Sequence, residues 1–174
     1  MEAKQLLIAL CLCGITSAVS AQAKLVDRRD QASGWYLPVE GKVTASRAKT
    51  QEFSVLVYKD NRLLGEVKPK KGKFLLELDL NQVYSVRLCK EGYQEKLITI
   101  DTSMPEQQVQ YPAYPCVVNL EPADKFVHSD PFYLDFPSAI VRWNDEMKGF
   151  YHSSEYLTDI QVKMALLAAQ VTPN

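Results

Sequence analysis

The chain has little histidine, little glycine and almost no excess charge. Two histidines in 174 residues leave few ways to build a metal centre, because zinc alone takes three or four side-chain ligands. Seven glycines beside 47% hydrophobic residues exclude a disordered or collagen-like chain. A formal net charge of −1 argues against nucleic acid as a partner, since that binding relies on clustered Lys and Arg. GxSxG, HExxH, P-loop and CxxC motifs are all missing, so no familiar catalytic or cofactor-binding signature points to an enzyme.

Long apolar runs are confined to the N-terminus. Lys4, the run Leu6 to Ile15 and the small residues Val19-Ser20-Ala21 or Ala21-Gln22-Ala23 read as a signal peptide over residues 1–23. The run is shorter than the ~20 residues that span a bilayer. Cys11 and Cys13 follow leucines rather than the small residue a lipoprotein site wants, so ordinary cleavage is expected. Cleavage would remove one base (Lys4) and one acid (Glu2), leaving the net charge unchanged. The expectation is an exported protein without a transmembrane segment, periplasmic, outer-membrane-associated or secreted. Its length suits one domain with a real core.

What is present is period-two alternation. After a lead-in over residues 24–36 of mixed charge, expected to be flexible, Leu37, Val39 and Val43 alternate with polar positions, as do Phe53, Val55 and Val57. The strongest case is Phe74, Leu76, Leu78 and Leu80 against Glu77 and Asp79. Val83 to Cys89, Lys96 to Ile100 and Cys116 to Leu120 continue the series. Side chains of an extended chain alternate between faces, so these are strands. Asp60-Asn61, Lys71-Gly72, Asn81-Gln82 and Glu91-Gly92 fall between the runs and supply tight-turn chemistry. Short strands about ten residues apart, with no intervening helix, predict a single antiparallel β-sandwich over residues 37–122.

Residues 123–174 read as an extension packed on that sandwich. Prolines from Pro105 to Pro137 break up the stretch before it and its first part into irregular wrapping. Ala139, Val141 and Trp143 alternate as a short strand, and Asn144 to Gly149 read as a loop. Ser153 or Ser154 can cap a helix carrying Tyr156, Ile160, Met164 and Leu167 on one face.

The run from Gly72 to Tyr93, with its Tyr84-x-Val86-x-Leu88 strand and Lys90-x-Gly92-Tyr93 corner, resembles the carboxypeptidase-regulatory-like or transthyretin-like (prealbumin-like) domain, a relative of collagen-adhesin B-type repeats. Val39-x-Gly41-x-Val43 and the Val55-x-Val57 strand with its Lys59-Asp60-Asn61 turn fit the same pattern. The likeness covers about half of the mature chain, departs from the pattern at Ala45 to Gln51, and specifies fold more than function. With the tail it resembles small exported proteins of Bacteroidota, which implies an envelope or secreted protein without assigned chemistry.

Several residues suggest chemistry and are read against it. Cys89 and Cys116 could pair in an oxidising compartment, but parity turns Cys89 away from the core and Cys116 toward it, so unpaired cysteines are expected. Lys42 and Asn119 stand where adhesin relatives form an isopeptide crosslink; alternation turns both outward. His152 and Glu155 share a spacing but lack further ligands for a metal. Adjacent His128-Ser129-Asp130 cannot take triad geometry. No cofactor is expected.

Trp143, Phe150 and Tyr151 flank the 144–149 loop, and form the candidate contact surface for a protein or a sugar, although packing against the last helix is the commoner use of such aromatics. The leading expectation is a non-enzymatic structural or protein-interaction module of the bacterial cell envelope. A carbohydrate-binding module acting through Trp143 is the alternative, and a hydrolase a third, weaker reading.

Overall fold

Wherever an apolar side chain recurs at every second position, the chain pairs as a strand. The computed structural model describes residues 31–46, 52–127, 129 and 134–169. The expected signal peptide (1–23), residues 24–30 of the lead-in and most of the Ala45 to Gln51 segment lie outside the described residues. The strands are β1 (Tyr36–Ala45), β2 (Ser54–Lys59), β3 (Arg62–Val67), β4 (Lys73–Asp79), β5 (Val83–Cys89), β6 (Lys96–Asp101) and β7 (Tyr114–Leu120). A 3-10 turn (Ala123–Phe126) then leads to β8 (Ala139–Asn144), β9 (Gly149–His152) and the helix α1 (Ser154–Ala169).

The strands form two sheets, ordered β4-β1-β7 and β3-β2-β5-β6-β8-β9. Val39 stands opposite Leu76 in the smaller sheet, and Val86 opposite both Val57 and Ile98 in the larger. All five are buried in one shared core, which the alternation brings between the layers. Phe74, Leu76 and Leu78 share the buried face of β4, while Glu77 and Asp79 stay partly exposed. The mainly β, sandwich-like architecture read from the sequence is therefore the one observed.

Pairing is parallel at two places, one inside the expected antiparallel sandwich over residues 37–122 and one where the extension joins it. β1 pairs with β7, and β6 with β8, in parallel. Antiparallel neighbours can be joined by a tight hairpin, whereas parallel neighbours need a crossover of a dozen or more residues. Both connections are that long: β2 to β6 intervene between β1 and β7, and β7 intervenes between β6 and β8.

The turns are where glycine, asparagine and their neighbours placed them. Asp60 and Asn61 both have positive φ (50° and 60°), as do Lys71 and Gly72 (52° and 76°), the pair of conformations a two-residue hairpin loop requires. Lys70 and Lys73 close the second loop with reciprocal backbone bonds of 2.9 and 3.0 Å. Asn81 (58°) and Gly92 (76°) complete the set.

The tail contributes more to the sheet than a single short strand. β8 and β9 pair as a hairpin across Trp143 and Phe150 and extend the larger sheet. Ser153 caps α1, its Oγ accepting from the Tyr156 amide at 3.3 Å. Ile160 and Leu167 are buried on the side where α1 meets β8 and the 3-10 turn, as the helical spacing predicts. Among the described residues no helix is long and apolar enough to cross a membrane.

Residues 31–36 at the end of the lead-in are tied down. Glu77 donates its amide to Gln31 Oε1 (2.9 Å), and the Asp79 carboxylate accepts from the Ser33 and Gly34 amides (2.8 and 3.3 Å) and from Ser33 Oγ (3.2 Å). β1 starts at Tyr36.

Candidate functional site

The aromatic trio singled out from the sequence does not form one exposed surface. Phe150 is 2% exposed and belongs to the main core. Edge-on rings flank it, Trp143 at a centroid distance of 5.4 Å and Tyr111 at 5.9 Å. Trp143 packs against that core half-buried, its Nε1 donating to Asp145 Oδ1 at 3.0 Å. Only Tyr151, partly exposed, sits on the other side of β9. Alternation explains the outcome, because pairing Trp143 with Phe150 across the hairpin puts both on the inward face. Phe150 thus takes the packing role that is the commoner use of such aromatics, and is not part of an exposed surface.

Two other sequence leads have clear placements. Lys42 and Asn119 both lie exposed on the outer face of the smaller sheet, and Asn119 is engaged with Thr44 Oγ1 (3.0 Å) and Glu121 Oε1 (2.6 Å). Glu121 also meets Ser46 Oγ at 3.1 Å and pairs with Lys125. The Lys125 ammonium, aided by Ser46, holds the Glu121 carboxyl below its ordinary range. Among the described residues no fully buried acid is present to assist a crosslink between Lys42 and Asn119. His152 and Glu155 are exposed; of His128-Ser129-Asp130 only Ser129 lies within the described residues. Among those residues no three His, Cys, Asp or Glu side chains gather as a metal site.

Cys89 and Cys116 are unpaired and sit in different sheets. On the outer face of the larger sheet, Cys89 Sγ donates to Glu95 Oε2 at 3.3 Å, and Arg87 Nε bonds Glu95 Oε1 at 2.5 Å. The Arg87 guanidinium also lies over Tyr58, 5.8 Å from the ring centre. Burial, followed by the Glu95 carboxylate, pushes the Cys89 thiol up to about 11. A reactive cysteine needs the opposite surroundings, which favour the thiolate. Burial and the Glu95 carboxylate together favour the protonated thiol here.

Two surface features carry more. The first is the β3 edge. β9 has four residues, β7 carries Pro115, and residues 31–35 bond along β4. β3 has six residues and no proline, and among the described residues nothing pairs with its outer side. Leu63 and Leu64 are 41% and 46% exposed there. The hairpin that follows presents Lys68, Lys70, Lys71 and Lys73, all exposed, with Lys73 directly opposite the exposed Lys42. Among the described residues none of these five lysines has an ion-pair partner. Like charges directly opposite each other on a sheet are destabilising.

The second is a cleft of about 600 Å³ at the end of the sandwich where β4 turns into β5. Trp35 lines it and is 67% exposed. Its backbone carbonyl accepts from the Leu80 amide at 3.0 Å, so an exposed ring stands on a fixed backbone. Thr102, fully buried, anchors the floor: its Oγ1 is 2.7 Å from the Asp79 carbonyl and 2.9 Å from the Gln82 amide. Neither feature was singled out from sequence, though the Lys68-Pro69-Lys70-Lys71-Gly72-Lys73 run is visible there. The Trp35 cleft is assembled from segments that only folding brings together.

No protein-family model matches the chain, and no curated protein sequence matches it. Among solved structures, similar backbones include "Crystal Structure of S.CueP" (14% identity, TM-score 0.34, 52% of this chain and 65% of that one) and the 3-chlorocatechol 1,2-dioxygenase from Rhodococcus opacus 1CP (12%, TM-score 0.37, 59% and 67%). The chain therefore spans just under two thirds of the first structure's length. At these scores neither likeness bears on activity.

Proposed function

We propose that the chain is a non-enzymatic interaction module of the bacterial cell envelope, and that it receives an extended, acidic segment of a partner protein along β3. The observation that carries the reading is the open edge of the larger sheet, with exposed Leu63 and Leu64 beside lysines that have no ion-pair partner among the described residues. An edge strand offers a row of main-chain donors and acceptors, and natural proteins usually blunt such rows. Peptides that add as an extra strand draw affinity from those groups and selectivity from alternate side chains. Five exposed lysines gathered in a chain of net charge −1 would steer an acidic partner to this end of the sheet. The leader over residues 1–23 supports export, and the transthyretin-like resemblance of Gly72 to Tyr93 supports a scaffold that works by contact.

The test is capture from crosslinked envelopes, compared with Leu64→Glu and with the Lys70→Glu/Lys71→Glu double variant, each checked for an unchanged melting curve. The captured protein is expected to be lost in both, and the wild-type complex to slow amide exchange over residues 62–67. Capture that survives both variants, or unchanged exchange in β3, rules the reading out. The carbohydrate alternative is taken up below at a different aromatic, Trp35.

A further inference from the structure

We infer that the cleft beside Trp35 is a saccharide-binding site, with the indole as the platform on which a sugar ring stacks. The argument rests on four properties of the cleft and is independent of the β3 edge. The first is the exposure of Trp35, 67% in a chain where the other tryptophan packs on the core. Leaving so large an apolar ring in water forgoes burial that folding could have used.

The second is preorganisation. Four hydrogen bonds to the Asp79 carboxylate and the Leu80 amide fix Ser33, Gly34 and Trp35 before any ligand arrives. A rigid aromatic loses little conformational entropy on binding, which favours affinity.

The third is the set of polar side chains around the ring. Asn81 and Gln82 project from the turn that Thr102 anchors, and their side-chain amides bond no other described residue. Each offers donors and an acceptor together, which matches a hydroxyl that must both give and take. Lys59 and Glu106 stand at the same cleft. With charges of both signs present, a neutral polyhydroxylated ligand fits better than a polyanion or a polycation.

The fourth is shape. A concave site of about 600 Å³ falls in the usual range for small-ligand sites, roughly 300–1,000 Å³. An exposed aromatic ring and side-chain amides lining one cleft suit the apolar face and hydroxyl rim of a pyranose. An extended peptide would instead want a row of separate side-chain pockets.

The experiment screens the purified protein on an array of neutral hexose, pentose and N-acetylhexosamine oligosaccharides, then measures the best binder by calorimetry and tryptophan fluorescence. Binding with a blue shift of Trp35 emission is expected. Trp35→Ala should weaken it by at least about tenfold, Gln82→Ala by less, and Trp35→Tyr should retain part of it. Trp143→Phe should leave it unchanged, as should the Lys70→Glu/Lys71→Glu variant that tests the β3 edge. Trp35 is exposed, so its variants should melt as wild type does. Absence of binding to every glycan on the array overturns the inference, and so does binding that Trp35→Ala leaves intact.

Discussion

The ring of Phe74 lies across Gly41 in the neighbouring strand, so close that a Cβ at position 41 would stand 2.1 Å from its Cε1 and Cζ atoms. The two residues face each other in the β1–β4 register, and both are buried. Glycine is needed here for space, not for an unusual φ. Gly41→Ala is expected to destabilise the fold by about 1–3 kcal/mol through overpacking. In denaturant titrations Phe74→Leu should cost stability alone yet recover part of the loss in the double variant, since contacting sites are not additive. Additive effects would mean that the ring does not occupy that space.

Phe150, held edge-on between Tyr111 and Trp143, should behave as a core residue. Phe150→Ala is expected to cost about 3–5 kcal/mol, seen as a lower unfolding midpoint. A variant that melts as wild type does but loses a ligand would instead assign Phe150 to a contact surface.

Thr102 holds the β4–β5 turn from inside the protein. Thr102→Val keeps the shape and removes the hydroxyl, leaving the Gln82 amide without that partner; a loss of about 1–3 kcal/mol is expected. If the cleft binds saccharide as inferred, the same variant should weaken binding without touching the ligand, because the turn carrying Asn81 and Gln82 loosens.

Stability should fall on the alkaline side. Burial pushes the Cys116 thiol up to about 12, while the unfolded thiol titrates near 8.5. Below pH ~8 both states hold the proton and Cys116 contributes no slope. Between those values the unfolded state has lost it and the folded state keeps it, so unfolding becomes easier as pH rises, by at most about 1.4 kcal/mol per pH unit from this group. Tyr114, also pushed up chiefly by burial, adds to the fall at higher pH. Cys116→Ala should flatten the first part of the curve in equilibrium unfolding between pH 8 and 10. An unchanged slope would show that Cys116 is not the group responsible.

Much of this protein was written in the spacing of its residues. Leu37 to Val43, Phe74 to Leu78 and Tyr84 to Leu88 alternate, and period two leaves an extended chain only one face to bury. Asp60-Asn61 and Lys71-Gly72 permit the positive φ of tight loops, and Ser153 with Tyr156, Ile160 and Leu167 marks the helix and its inner face. These are local properties, set by a residue and its near neighbours. Parallel pairing of β1 with β7 and of β6 with β8 depended on where long crossovers return, and no period records that. Phe150 lies in the core because hairpin register decides which aromatics face in. The Trp35 cleft joins the end of the lead-in, the β4–β5 turn and the segment after Thr102. Residues so far apart in sequence become neighbours only when the two sheets close, so the site belonged to the tertiary structure alone.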